Sequence, residues 1–161
     1  MKRILQFAIA SALMLAVSVG WGQASLTAGQ TMPTLVLPDA HDNEYTVPYS
    51  GVRHVIFGAD MEANTLMERA FGTLDKGEFT ASGLVYVADI SGMPGLVARL
   101  FAIPDLRDYP FRVLLARNAD TVAFFPREEG ALTILALSPD GKVETIRFAR
   151  HVDALTALVD P

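Results

Sequence analysis

Asp60 and Glu62 are the residues best placed for chemistry. They stand two apart where an apolar run, 54–57, passes through Gly58-Ala59 into a helical pattern, and paired carboxylates serve general acid–base catalysis. At a helix start the same two residues would instead cap backbone N–H groups and compensate the helix dipole, and no third partner for an acid–base pair stands out. Ser91, in Asp89-Ile90-Ser91-Gly92-Met93-Pro94, lies between a strand-like and a helix-like run, as nucleophiles do. It lacks the glycines of a nucleophile elbow, and a cap on the following helix is the expected role. The three histidines are His41, His54 and His151. His41 sits between Asp39 and Asp42 in a turn whose acidic side chains should bond locally; the spacing matches neither zinc nor calcium ligand sets, and no metal is expected. His54 opens a strand and is expected at a partly exposed edge, and His151 is expected at the start of the last helix. The chain contains no cysteine, which removes thiolate nucleophiles, disulfide exchange and thiol peroxidase chemistry. No G-x-G-x-x-G follows a strand, so no flavin or nicotinamide cofactor is expected.

The elements that must hold these residues follow from periodicity. Short strand-like runs at 34–37 and 44–47 flank the turn formers 38–43, which predicts an N-terminal hairpin. Residues 54–57 form a continuous apolar strand suited to a sheet buried on both faces. Ala63, Leu66, Met67, Ala70, Phe71 and Leu74 give one helical face over 61–74, and Asp60 is its candidate cap. Residues 83–90 read as the next strand, completing a βαβ unit with a right-handed crossover. A short helix is expected over 93–103, with Pro94 in its first turn. Strands are expected at 111–115, 121–125, 131–137 and 142–148, the last two joined through Ser138-Pro139-Asp140-Gly141. Val152, Leu155, Leu158 and Val159 give a final helix its apolar stripe. These elements predict an α/β sandwich: a mixed central β-sheet flanked by helices, preceded by a β-hairpin extension.

The chain opens with Lys2 and Arg3, an apolar stretch over 4–19, and Gly20-Trp21-Gly22-Gln23-Ala24 with small residues where a signal peptidase reads. Residues 1–24 are therefore expected to be a cleaved signal peptide, with 25–161 a single domain exported to a periplasm. The apolar stretch is shorter than the roughly 20 residues of a spanning helix, so no membrane association is expected after cleavage. With 13 Lys+Arg against 18 Asp+Glu the formal charge is −5, and loss of Lys2 and Arg3 makes it about −7. An acidic domain without a basic stripe is a poor partner for nucleic acid.

Tyr109-Pro110-Phe111-Arg112-Val113-Leu114-Leu115 and Thr133-Ile134-Leu135-Ala136-Leu137-Ser138-Pro139-Asp140-Gly141-Lys142-Val143 resemble the second half of the alkyl hydroperoxide reductase and thiol-specific antioxidant branch of the thioredoxin-like superfamily. The likeness is closer still to small periplasmic proteins of the YtfJ type and covers roughly residues 29–159. It implies a thioredoxin-like fold, and it implies where a redox site would lie. The family's first cysteine falls at the strand–helix junction, here Asp60-Met61-Glu62-Ala63-Asn64-Thr65, which has no thiol. The family's cis-proline slot, aligned on Pro139-Asp140-Gly141, is taken by Leu132. Asp60, Met61, Glu62, Thr65 and Leu132 are therefore positions of a degenerate redox site, and no catalytic residue is assigned.

Asp105-Leu106-Arg107-Asp108-Tyr109-Pro110 mixes charge with an aromatic between a helix and a strand, as recognition loops do. Arg107 and Tyr109, with Arg127, are the candidate interaction rim, because Arg and Tyr dominate interface hot spots. Three readings stand: a non-redox module that binds a protein or peptide, an enzyme of non-thiol type with a raised carboxyl near Asp60 and Glu62, and a small-molecule or cofactor carrier.

Overall fold

The computed structural model describes residues 24–75 and 77–159. The expected signal peptide thus lies, apart from Ala24, outside the described residues.

Alternation of apolar residues between two faces organises the sheet. Strands β3 (His54–Gly58), β4 (Leu84–Asp89), β5 (Val113–Ala116), β6 (Leu132–Leu137) and β7 (Val143–Ala149) form one sheet in the order β5-β4-β3-β6-β7. β4 runs parallel to β3 and to β5, whereas β6 is antiparallel to β3 and to β7. Because successive side chains point to opposite faces, Ile56, Tyr86, Leu115 and Ile134 enter one core cluster while Val55, Phe57, Val87 and Leu135 enter the other. A strand buried on both faces reads as an unbroken apolar run, and β3 and β4 do.

Helix α1 (Met61–Phe71) buries Ala63, Leu66, Met67, Ala70 and Phe71 against the first face. There α2 (Glu78–Ala81) adds Phe79, and α5 (Asp153–Thr156) adds Leu155. The second face is covered by the hairpin of β1 (Leu35–Pro38) and β2 (Glu44–Val47), which supplies Leu35, Leu37 and Val47, and by Phe124 and Phe125. A bridge between Asp39 and Leu114 fastens this hairpin to β5. The architecture is the expected mixed-sheet α/β sandwich with an N-terminal hairpin.

Four local expectations need correction. Residues 121–125 are not a strand: Ala119–Val122 is a 3₁₀ turn whose start is capped by the Asn118 side chain accepting from Asp120 N at 2.9 Å. Phe125 then stacks on Phe57 at 4.4 Å between ring centroids, so burial against the sheet face outweighs the β-propensity of the run. The helix expected over 93–103 starts later and runs further, as α3 (Gly95–Val97), a π turn (Ala98–Ala102) and α4 (Ile103–Arg107) in continuous succession. Pro104 has no N–H to give to the carbonyl one turn earlier and its ring crowds that carbonyl. The widened turn, in which Ile103 N–H reaches Ala98 O, makes room for it. Asp105, Leu106 and Arg107 are consequently helical and not loop. His54 is not on an edge: β3 is the central strand, and the imidazole is half-buried. Helix α1 ends at Phe71 rather than at 74, because Gly72 and Thr73 begin a turn.

Candidate functional site

The junction of β3 and α1 is where the resemblance noted above implies a redox cysteine. β3 ends on Gly58 because a side chain does not fit there: a Cβ would stand 2.6 Å from the Tyr86 hydroxyl and 3.2 Å from Leu132 Cδ2. Tyr86, fully buried, donates that hydroxyl to Asn64 Oδ1 on α1. Burial pushes its pKa far up, with the negative charges of Tyr109 and Asp60 adding to the shift, so it remains a donor.

Asp60 caps α1, as expected. Its Oδ1 accepts from Ala63 N at 2.8 Å and its Oδ2 from Gly130 N at 3.0 Å. The carboxylate thereby ties the helix start to the loop that enters β6. Gly130 has φ +67°, and a Cβ there would stand 2.6 Å from Glu62 Oε2. Glu62 and Gly130 are thus in close approach, with the exposed Glu62 carboxylate over the loop. Met61 projects outward, 74% exposed, and Thr65 Oγ1 donates to Met61 O within the helix at 3.0 Å. Leu132 is fully buried and paired in register with Ala149. Of the expected positions, Asp60, Met61, Glu62 and Thr65 share one helix start, and Leu132 sits in the core below it.

The end of β4 carries a second polar cluster. Asp89 has a side chain only 5% exposed; its Oδ2 pairs with Arg127 Nη1 at 2.9 Å. Its Oδ1 accepts from Ser91 N at 3.0 Å and from Ser91 Oγ at 2.6 Å. Ser91 is therefore not the helix cap: Pro94 occupies that position, with no side-chain bond to the helix. Arg127 also donates to Val122 O at 3.2 Å, and its guanidinium carbon lies 5.0 Å from the Phe57 ring centroid. A buried carboxylate needs such a partner, so Arg127 neutralises Asp89 and anchors the 119–127 segment. A recess of about 230 Å³ lies between this cluster and Asp60, Met61 and Asn64.

The other two rim residues lie elsewhere. Arg107 Nε donates to Ala40 O at 2.7 Å, holding α4 to the turn after β1. Tyr109 packs on Phe111 at 5.2 Å. Its phenol is pushed up to about 12, by burial first and then by the charges of Glu68 and Asp105. Arg107 faces a recess of about 370 Å³ that it shares with Arg99, Arg117, Met93 and Ile103. Ser91 and Met93 line both recesses. On the helical stretch that supplies Gly95, Ala98 and Arg99 to the larger of these two recesses, Leu96, Val97, Leu100 and Phe101 are 70%, 45%, 56% and 65% exposed. The run over 96–103 holds more apolar residues than one buried stripe requires, which is the signal in the sequence for this surface. No spacing signals that Arg99 and Arg117 meet.

At the opposite end of β3 a cavity of about 720 Å³ lies between the turn after β2 and the β6–β7 hairpin. His54 lines it, and its Nδ1 is buried without a hydrogen-bond partner. The acidic turn behaves as expected: Asp39 Oδ1 accepts from His41 N at 2.8 Å and Asn43 N at 3.0 Å. Among the described residues no group of three or more His, Asp or Glu side chains is arranged to hold a metal ion, and no helix is long and apolar enough to cross a membrane.

No family model matches the chain, and no curated protein matches it. Solved structures do. A peroxiredoxin-like protein from Aquifex aeolicus superposes with TM-score 0.54 at 11% identity, over 86% of this chain and 89% of that one. The thioredoxin domain of a thiol-disulfide oxidoreductase from Bacteroides vulgatus gives TM-score 0.53 at 14% identity, over 84% and 97%. A peroxidoxin from Mycobacterium tuberculosis gives 0.54 at 18%, over 83% and 96%. At these identities the likeness is one of architecture: this chain has a thioredoxin-like fold, and it has it without a single cysteine.

Proposed function

We propose that this protein is an exported, non-redox thioredoxin-fold module that binds a protein or peptide, with 25–161 as its working domain. The observation that carries the reading is the exposed apolar surface of Leu96, Val97, Leu100 and Phe101, on a helical stretch whose Gly95, Ala98 and Arg99 line a recess. An exposed, contiguous apolar patch on a soluble domain marks an interaction surface. The start of α1 is occupied internally, since both oxygens of Asp60 are taken by backbone N–H groups. The fold neighbours are named as a peroxiredoxin-like protein, a thiol-disulfide oxidoreductase and a peroxidoxin, and the thiolate that thiol chemistry requires is missing here.

The enzyme reading needs a carboxyl held protonated near Asp60. The carboxyls of Asp39, Asp42 and Asp140 have their pKa held below the ordinary range, the opposite direction. In Asp39 burial alone would raise it, but the N–H groups of Asn43 and His41 outweigh that.

A photo-cross-linking residue at position 101, compared with one at the equally exposed Val36 on the hairpin, tests the reading in the native compartment. Discrete protein adducts at 101 and none at 36 are expected; adducts at neither position would sink it. The intact mass of the same preparation tests export, with a chain beginning at Ser25 expected. A native mass above that of the bare chain would instead favour the carrier reading.

A further inference from the structure

We propose that the recess of Arg99, Arg107 and Arg117 is a carboxylate anchor, and that the partner segment is acidic with apolar neighbours that rest on Leu96, Leu100 and Phe101. The inference rests on the binding-module reading and names the chemistry of its partner.

Three arginines line one recess of about 370 Å³ in a chain whose formal charge is −5. Against them stands one carboxylate, Asp42, which bonds Arg117 Nη2 at 2.6 Å while both groups remain largely exposed. The hydrogen bond and charge of Arg117 hold Asp42 below the usual carboxylate range, and the charge of Arg107 adds to this. Two of the guanidiniums therefore share a single acid. Arg99 has no ion-pair partner among the described residues. Arg107 is held in place through Ala40 O, so its remaining N–H groups are presented from a fixed position. A positioned guanidinium set is matched to carboxylate, which it binds by paired N–H···O bonds.

Ile90, Met93 and Ile103 give the recess an apolar part, and Gly95, Ala98 and Arg99 of its wall alternate along the helical stretch with the exposed Leu96, Val97, Leu100 and Phe101. A small inorganic anion would satisfy the arginines but leave those exposed side chains in water. A peptide carrying Asp or Glu next to Leu or Phe satisfies both: the charge fixes register and the apolar side chains supply the buried area. A basic or purely polar segment satisfies neither. Charge complementarity of this kind also steers encounter and makes binding weaken with salt.

The test is fluorescence anisotropy with the purified full-length protein and a labelled dodecapeptide alternating Asp with Leu and Phe. Controls are the same peptide with Lys for Asp, inorganic phosphate as competitor, and vesicles of anionic phospholipid. The acidic–apolar peptide is expected to bind, with Arg99→Gln and Leu100→Ser each weakening it about tenfold, and the Lys peptide is expected not to bind. Both positions are exposed, and unchanged thermal midpoints confirm that the variants fold. Equal binding of the Lys peptide, or Arg99→Gln without effect, overturns the carboxylate anchor. So does full displacement of the peptide by phosphate, which makes the site a small-anion site, or vesicle binding through Leu100 in place of peptide binding. If position 101 cross-links to protein in the native compartment while the acidic peptide fails, the anchor chemistry is wrong and the module reading survives. If both fail, both are wrong.

Discussion

Asp60 shows how a residue placed for catalysis can be committed to architecture instead. Each of its oxygens takes a backbone N–H, one from its own helix and one from the loop before β6. Asp60→Ala should therefore cost about 1–2 kcal/mol of unfolding free energy, and Asp60→Asn less, because the amide oxygen can still cap. Urea denaturation reads both, and an Ala variant as stable as the parent would contradict the bridge. His54 offers a pH-dependent counterpart. Burial lowers its pKa, and the charges of Arg147 and Arg53 lower it further, against a raising contribution from Glu144. Since the folded pKa lies below the ordinary 6.5, the unfolded chain takes up the proton first as pH falls. The stability is complete above that value and declines below it, until the folded group titrates as well. His54→Leu also removes a buried, unpaired Nδ1, and should flatten the fall in urea midpoint between about pH 7.5 and pH 5.5. Parallel pH profiles for parent and variant would refute this.

At the scale of elements, β3 and α1 meet so closely that the join admits no methyl group. Gly58→Ala would drive a Cβ to 2.6 Å from the Tyr86 hydroxyl, breaking the Tyr86–Asn64 bond or displacing the helix. A loss of about 1–3 kcal/mol is expected, read by thermal or urea unfolding, whereas a neutral outcome would mean that the junction is looser than described. Helix α1, the hairpins and the central strands were all legible in the sequence, because their periodicity and turn residues are local. The 119–127 segment was not. Thr121-Val122-Ala123-Phe124-Phe125 has the composition of a strand, and it is the sheet face beneath that decides otherwise, through Phe57 stacking and the Arg127–Asp89 pair. The helical stretch runs to 107, past the expected end at 103, because a π turn accommodates Pro104.

For the whole molecule, two cores share one sheet, and no disulfide contributes. Packing on both faces should couple the hairpin, sheet and helices into a single transition. Near- and far-UV circular dichroism should therefore give one coincident midpoint, identical with and without excess dithiothreitol. Separate midpoints would show that the N-terminal hairpin unfolds on its own. The charge balance has a similar global character: an acidic chain gathers three arginines into one recess, so its local field there opposes its overall sign.

What the sequence determined by itself is whatever composition and short-range pattern encode: the absence of thiol chemistry, the βαβ unit, the two hairpins and the cap at Asp60. The junction residues Asp60, Met61, Glu62 and Thr65 could be placed on one helix start because they are neighbours in the chain. Only the tertiary structure decided that Arg127 pairs with buried Asp89, that Tyr109 packs on Phe111, and that Arg99, Arg107 and Arg117 line one recess. Those meetings depend on crossovers that bring distant segments to the same end of the sheet, and no local propensity specifies them.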